Sequence, residues 1–408
     1  MSILDLLDEP AVWQRFLEDR MAAGHWSRTE QEDISTFVSR EEYRDMVARI
    51  VRGASLPLPE KRLLSKMGTE KKRVVYQFPR EMNYVLKLLT WLLGRYDGIF
   101  ADNLWSFRRG RTARQAVRWL IARRGIERLY SYRMDVHDYF NSVDIHCLMS
   151  MLERIFAADQ PLLDFCRRLL CSDEALQDGK VIRELKGIMA GVPVASFFAD
   201  VYLMEMDAYF AARGVIYARY SDDVIVFAET EAEREEFAGL IGDFLRERHL
   251  TFNPDKVERT APGERWSFLG ISYCAGVVDV SPVSVRKLKG KLRRKARALL
   301  RWRERKGAPP EAAMRAYIRH FNRKLYENPV QSELTWCRWY FPLITTAQSL
   351  RELDRYMQQC IRYLATGRHT KANYNLRYET IRALGYRSLV SAYYAQLCRP
   401  DSVPERPG

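Results

Sequence analysis

In the stretch "ARYSDDVIVFA", residues 218 to 228, Asp222 and Asp223 stand side by side between two apolar, strand-like runs. Like charges in contact are tolerated in such surroundings only where a cation or its equivalent neutralises them. "VIYARY" and "VIVFA" flank Ser221, Asp222 and Asp223, so the pattern predicts a hairpin that carries the acids at its turn. Hard divalent ions such as Mg²⁺ prefer carboxylate oxygens and keep positions open for water and substrate phosphates. An isolated Asp-Asp pair is commonly a surface turn, so the surrounding sequence has to decide.

A site for two ions needs a further carboxylate from another strand. Asp135 in "LYSYRMDVHDYF" is the candidate, because it ends an alternating stretch that predicts a strand. One ion would lower the pKa of an attacking 3′-hydroxyl and the other would stabilise a leaving pyrophosphate, which is the chemistry of nucleotidyl transfer. His137 has no partner at ligand spacing, so it is expected to be structural.

Between residues 129 and 280 short strands alternate with helices, as in an α/β unit. Upstream, residues 1–55 are expected to form polar helices, and the segment from Pro57 a strand-loop-strand followed by a helix. "VASFFADVYLMEMDAYFAARG" is apolar on several faces and predicts one buried helix ended by Gly214. Lys and Arg number 66 against 52 Asp and Glu, a net charge of +14, which favours a polyanionic partner. The excess concentrates between Arg286 and Lys306, where twelve basic residues accompany one acid, Glu304. Leu288, Leu292 and Leu299 mark the apolar side of that helix, and the rest of its surface, including Lys289, Arg293 and Arg297, is expected to meet nucleic acid. The seven cysteines lack zinc-finger spacing and are expected to be reduced core residues. No run reaches the roughly 18 apolar residues of a membrane span, and the acidic N-terminus is unlike a signal peptide, so a cytoplasmic protein without membrane contact is expected.

The "YSDD" box, the earlier "DxxxxF" of Asp135 to Phe140 and the intervening "GxP" of Gly191 and Pro193 occur in the order found in reverse transcriptases, and the chain resembles that family over roughly residues 57 to 275. The resemblance implies an α/β right-hand polymerase fold with fingers, palm and thumb, and a helical C-terminal region. Its expected divisions are an N-terminal helical segment (1–55), fingers (56–134), palm (135–280, with a fingers insertion at about 146–186), a basic helical thumb (281–330) and a C-terminal region with a tail (331–408). It implies that Asp135, Asp222 and the backbone carbonyl of Val136 hold two Mg²⁺ ions, with Asp223 as a weaker ligand or support. Phe140 would be a steric gate against a ribose 2′-hydroxyl. In "SKMGTEKKRVVYQFP", Lys66 and Arg73 would grip the incoming triphosphate, and Gly191 would let the backbone approach the nucleotide. Lys256 would lie near the departing pyrophosphate. Phe107, Arg108, Gly110 and Arg111 of "LWSFRRGRTARQAV" would lie near the template, and "SFLG", residues 267 to 270, resembles the primer grip.

One motif departs from the family's pattern. "MAGVPVAS" has Met189, Ala190 and Ala195 where bacterial relatives read Pro, Gln and Ser, which removes the glutamine amide. The chain carries neither the Val-Thr-Gly thumb signature of retron enzymes nor the zinc-type tail of many intron maturases. It looks most like the compact defence-associated bacterial reverse transcriptases of unassigned groups, which implies an RNA template (a structured non-coding RNA), a DNA product, deoxynucleoside triphosphates as substrates and a role in antiviral defence. Two other readings stay open at this level: an RNA-dependent RNA polymerase, against which Phe140 speaks, and a catalytically silent RNA-binding scaffold, against which the three acids speak. The C-terminal tyrosines Tyr374, Tyr378, Tyr393 and Tyr394 are expected to be core.

Overall fold

Alternation along residues 130 to 135 sends Tyr132 and Met134 into the core and leaves Arg133 and Asp135 half-buried on the other face, which is how a strand covered on one side is specified. The computed structural model describes residues 1–24, 26–65, 72–327, 335–368 and 370–398. Its strands in chain order are β1 (Glu60–Ser65), β2 (Lys72–Gln77), β3 (Tyr130–Asp135), β4 (Glu174–Gln177), β5 (Lys180–Arg183), β6 (Tyr217–Tyr220), β7 (Asp223–Ala228), β8 (Glu258–Thr260), β9 (Trp266–Phe268), β10 (Ile271–Cys274) and β11 (Val277–Val280). Two compact units result, Met1–Pro262 and Gly263–Gly408.

In the first unit the central sheet runs β6-β7-β3-β8 and every pairing is antiparallel. A second sheet runs β2-β1-β4-β5, with β1 and β2 antiparallel and β4 joining β1 in parallel. The expected insertion therefore contributes two helices, Ile145–Ile155 and Gln160–Leu170, and a β4–β5 hairpin that extends the β1–β2 sheet. The run 194–214 is buried as expected but folds as two helices, Ala195–Tyr202 and Met204–Ala212, with Leu203 between them at φ −115°. Gly214 (φ 64°) closes the second helix, and Val215 N–H donates to the Phe210 carbonyl as in a glycine-capped terminus.

The N-terminal helices are less polar in effect than their sequence suggests. Trp13 and Phe16 are fully buried, Trp13 stacks on Tyr43 at 4.8 Å, and Phe37 meets Tyr84 of the helix Arg80–Leu93 at 5.0 Å. Their apolar stripe joins the hydrophobic core of the first unit, which continues through the central sheet.

The second unit opens with the sheet β11-β10-β9, so residues 263–280, expected in the palm, group with the helices that follow. The helix Pro282–Lys306 buries Val285, Leu288, Leu292, Ala296 and Leu300. Leu299, expected on that stripe, is only half-buried, because a period of 3.6 residues carries the stripe from Ala296 to Leu300. Asp354 accepts from Tyr386 Oη (2.6 Å), Ser388 Oγ (2.6 Å) and the Leu389 and Val390 N–H groups (2.9 and 3.1 Å), pinning the "ALGYRSLVSAYY" segment. Tyr393 is core, whereas Tyr378 and Tyr394 are exposed, and the Tyr374 side chain lies outside the description. All seven thiols are free; Cys166, Cys337 and Cys360 are buried, while Cys171 and Cys398 are exposed rather than core. No helix among the described residues is long and apolar enough to cross a membrane.

Two glycines seat the loops around β3. Gly187 (φ 53°) packs so tightly that a Cβ would stand 2.3 Å from the Phe140 carbonyl oxygen, and at Gly191 (φ 100°) it would stand 3.0 Å from that of Tyr76. Replacing Gly187 by Ala should lower stability by about 1–3 kcal/mol through strain and backbone displacement. Urea unfolding with an unchanged m-value checks this, and an unaltered midpoint would contradict it.

Candidate active site

Strands β6 and β7 are joined by two residues, since Tyr220 pairs with Asp223 and leaves Ser221 and Asp222 as the loop. Ser221 takes φ 58°, a conformation that favours glycine and persists in other residues only where neighbours enforce it. In the β3–β7 ladder Asp135 lies directly opposite Asp223, and Val136 N–H donates to the Asp222 carbonyl at 2.9 Å. The expected trio and Val136 thus meet at one end of the central sheet, with Asp222 exposed and Asp135 and Asp223 half-buried.

Charges on the same face partner these acids. Arg133, two residues before Asp135, sends Nη2 and Nε to Asp223 Oδ1 at 2.8 and 3.2 Å and Nη1 to Glu258 Oε1 at 2.9 Å. Its guanidinium pKa is raised, because attraction to Asp223 and Glu258 outweighs the opposing effect of burial. Lys256 Nζ bonds Asp135 Oδ2. Asp222 has no such bond to a cationic side chain among the described contacts, and its carboxyl pKa is raised, first by desolvation in the crowded rim and then by the charges of Asp223 and Asp135. Burial likewise raises Glu258, with Arg133 pulling the other way.

Four carboxyl groups, Asp135, Asp222, Asp223 and Glu258, therefore share two cationic side chains, Arg133 and Lys256. The local deficit of positive charge and the all-oxygen donor set fit a hard divalent cation such as Mg²⁺. Among the described residues the set of three metal-type donors within 4.8 Å of one another is a different one, Asp144, Cys147 and His249. That set is accounted for without an ion: Asp144 caps the helix Ile145–Ile155 through the His146 and Cys147 N–H groups (2.8 and 3.2 Å) and bonds His249 Nδ1 at 2.8 Å. Asp135, Asp222 and Asp223 do not converge as closely; Asp135 is paired with Lys256 and Asp223 with Arg133.

Beside the acids Phe107 bridges two rings, edge-on to Phe140 at 6.3 Å and tilted to Tyr220 at 6.3 Å. Phe140 lies in the short helix Tyr139–Ser142, and its carbonyl accepts from Ile188 N–H at 2.9 Å. Arg73 is exposed on β2, and Lys66 lies outside the described residues. Gly191 abuts β2, where Tyr76 N–H donates to the Ala190 carbonyl at 2.8 Å. Gly110 turns the loop at φ 68°.

Arg108 departs from the template contact expected of it. Its side chain is 6% exposed and is spent on its own loop, with Nε 2.9 Å and Nη2 3.1 Å from the Asp97 carboxylate and Nη1 2.7 Å from the Ala101 carbonyl. Arg111 pairs with Asp102 and lies over Trp105 at 5.0 Å. In the second unit Lys289 is engaged by Glu352 and lies 5.2 Å from the Tyr356 ring, while Arg293 and Arg297 are exposed. Sequence reasoning passed over Arg133 and Tyr220; the period-two spacing of Arg133 from Asp135 was the signal for the former.

The reverse transcriptase (RNA-dependent DNA polymerase) family matches residues 64–273. Among solved structures the chain is similar to apo telomerase from Candida tropicalis truncated from its C-terminal domain, at 13% identity over 55% of this chain and 55% of that one, with a TM-score of 0.42. It is similar to telomerase from Candida albicans in complex with a TWJ fragment of telomeric RNA, at 13% identity over 89% and 71% of the two chains, TM-score 0.43. For apo telomerase from Candida tropicalis the values are 12% identity, 81% and 69%, and 0.44. The chain spans about half the length of the first of these, 55%. No curated protein matches the sequence.

Titrating Mg²⁺ into the protein should raise its melting temperature, by the equivalent of about 1–3 kcal/mol at saturation. Asp135→Asn and Asp222→Asn should each abolish the response. Thermal unfolding followed against Mg²⁺ concentration checks this, and a wild-type protein indifferent to Mg²⁺ would contradict it.

Proposed function

From a chain that belongs to the reverse transcriptase family and has its right-hand polymerase fold, we propose an RNA-directed DNA polymerase that extends a DNA strand on an RNA template with deoxynucleoside triphosphates. The observation that carries this reading is the β3–β7 register, which sets Asp135 opposite Asp223 with Asp222 at the adjoining turn, inside the matched segment 64–273.

Two bound Mg²⁺ ions would supply the charge that activates the primer 3′-hydroxyl and steadies the leaving pyrophosphate. Asp135 and Asp222 would hold them with the Val136 carbonyl. Asp223, tied to Arg133, would keep its place at the rim while adding negative potential. Lys256 would exchange its bond with Asp135 for phosphate oxygens of the departing group, and Arg73 would offer its planar guanidinium to the triphosphate. The Phe140 ring, with its main chain packed against Gly187 and Phe107 edge-on to it, would close the space that a 2′-hydroxyl needs. The exposed basic residues of the helix Pro282–Lys306, Arg293 and Arg297 among them, suit the backbone of a structured RNA. The biological setting we propose is antiviral defence with a dedicated non-coding RNA template, on the strength of the family resemblance and that basic helix.

Primer extension on an RNA template tests the reading. Incorporation should require deoxynucleotides and fall at least about a thousandfold in Asp222→Asn, where transition-state charge loses its ligand. Phe140→Ala should raise the ratio of kcat/KM for ribonucleotides over deoxynucleotides by about a hundredfold, some 2.7 kcal/mol of lost discrimination. An unchanged ratio would remove Phe140 from the gate. Sequencing the nucleic acid that copurifies should return one RNA species and its complementary DNA, and a random RNA population would argue against a dedicated template.

A further inference from the structure

An arginine beside two catalytic acids would be expected to face the substrate phosphates, yet the Arg219 side chain is 0% exposed. It projects beneath the hairpin, where Nε and Nη2 form a two-pronged pair with the Asp207 carboxylate, at 2.8 and 2.5 Å. Asp207 is as fully buried and is fixed in turn by Tyr217 Oη, which donates to Oδ1 at 2.9 Å. The remaining donors of Arg219 reach main-chain carbonyls: Nη2 donates to Asp200 at 3.1 Å and Nη1 to Ser221 at 3.2 Å. Ser221 is the residue held at φ 58° immediately before Asp222.

The same arginine joins the hairpin to the loop that carries Phe107. Its N–H donates to the Asn103 carbonyl (3.1 Å) and its carbonyl accepts from Trp105 N–H (2.9 Å). Asn103 Nδ2 donates to the Asp207 carbonyl at 2.8 Å, and Ser106 Oγ donates to Asp200 Oδ1 at 2.7 Å, with that carboxyl group 4.0 Å from Arg219. Burial, offset in part by Arg219, pushes the Asp200 carboxyl up to about 8.

A buried ion pair is a poor way to gain stability, since apolar residues of like volume commonly serve as well. What it provides is fixed direction. A planar guanidinium gripped on two edges can aim a third N–H at one carbonyl, which a lysine cannot. A left-handed serine relaxes unless its surroundings over-determine it.

We infer that Arg219, locked by Asp207, is a positioning residue that holds the Ser221–Asp222 turn in the geometry by which Asp222 and Asp135 share cations, and that it ties this turn to the Asn103–Phe107 loop. The inference rests on the polymerase reading of those acids.

The test compares Arg219→Gln, Arg219→Lys, Asp207→Asn and the double variant Asp207→Asn with Arg219→Gln, which leaves neither member of the pair charged and unpartnered. Leu163→Ala, in the buried face of the helix Gln160–Leu170, is the stability-matched control. Two readouts are taken on each full-length protein: the Mg²⁺ concentration giving half the rise in melting temperature, and kcat and KM for deoxynucleotide incorporation. All the Arg219 and Asp207 variants, the double one included, should need about tenfold more Mg²⁺ and lose about a hundredfold in kcat with KM changed less than about threefold, as for displaced reacting groups. Leu163→Ala should keep wild-type values despite a lower melting temperature. If the double variant recovers stability and regains kcat, or if the losses in all variants follow melting temperature alone, Arg219 is merely structural and the proposal is overturned. Should wild-type protein respond to Mg²⁺ yet incorporate no nucleotide, the polymerase reading falls and the Mg²⁺ midpoints alone decide the inference. A wild-type protein showing neither response overturns both.

Discussion

Crowding of like charge at one end of a four-stranded sheet is the constraint on which the first unit depends. Antiparallel pairing puts Asp135 and Asp223 across from one another, and the two-residue turn adds Asp222 beside them. Such an arrangement is costly unless opposite charge is close. The chain supplies part of it through Arg133 and Lys256 and leaves Asp222 with its proton held more tightly than a free carboxyl would hold it. On the proposed function, a divalent cation would meet that residual deficit.

Everything around the acids restricts how far they can relax. Behind the turn lies the Asp207–Arg219 pair; beside it Phe107, Phe140 and Tyr220 pack as a row of rings. Gly187 and Gly191 permit main chain to approach main chain where any side chain would collide. Rigid surroundings of this kind let two strands and a turn present charge in a fixed direction, which is what electrostatic stabilisation of a transition state requires.

The acids were legible from sequence because a period of two residues and a turn between apolar runs determine strand ends and faces. The two sheets around β1 and β3 follow from similar signals. The burial of Arg108 against Asp97 and the pairing of half-buried Lys289 with Glu352 were not legible, since they depend on how loops and helices meet, and no local pattern encodes that. The break at Leu203 within an unbroken apolar run, and the grouping of β9–β11 with the second unit, are tertiary outcomes of the same sort. Arg219, within "ARYSDD", drew no assignment from the sequence. Strand alternation should have warned that it faces away from Tyr220, but its partner Asp207 lies in a segment read only as apolar helix.

Crystals of the protein grown with Mn²⁺, an unreactive deoxynucleoside triphosphate and a primed RNA template would test the central claim most directly through the anomalous signal of the metal. Two peaks about 3.5–4 Å apart, ligated by Asp135 and Asp222, are the predicted result. Manganese lodged elsewhere, or Asp135 still bound to Lys256 with the triphosphate in place, would contradict it.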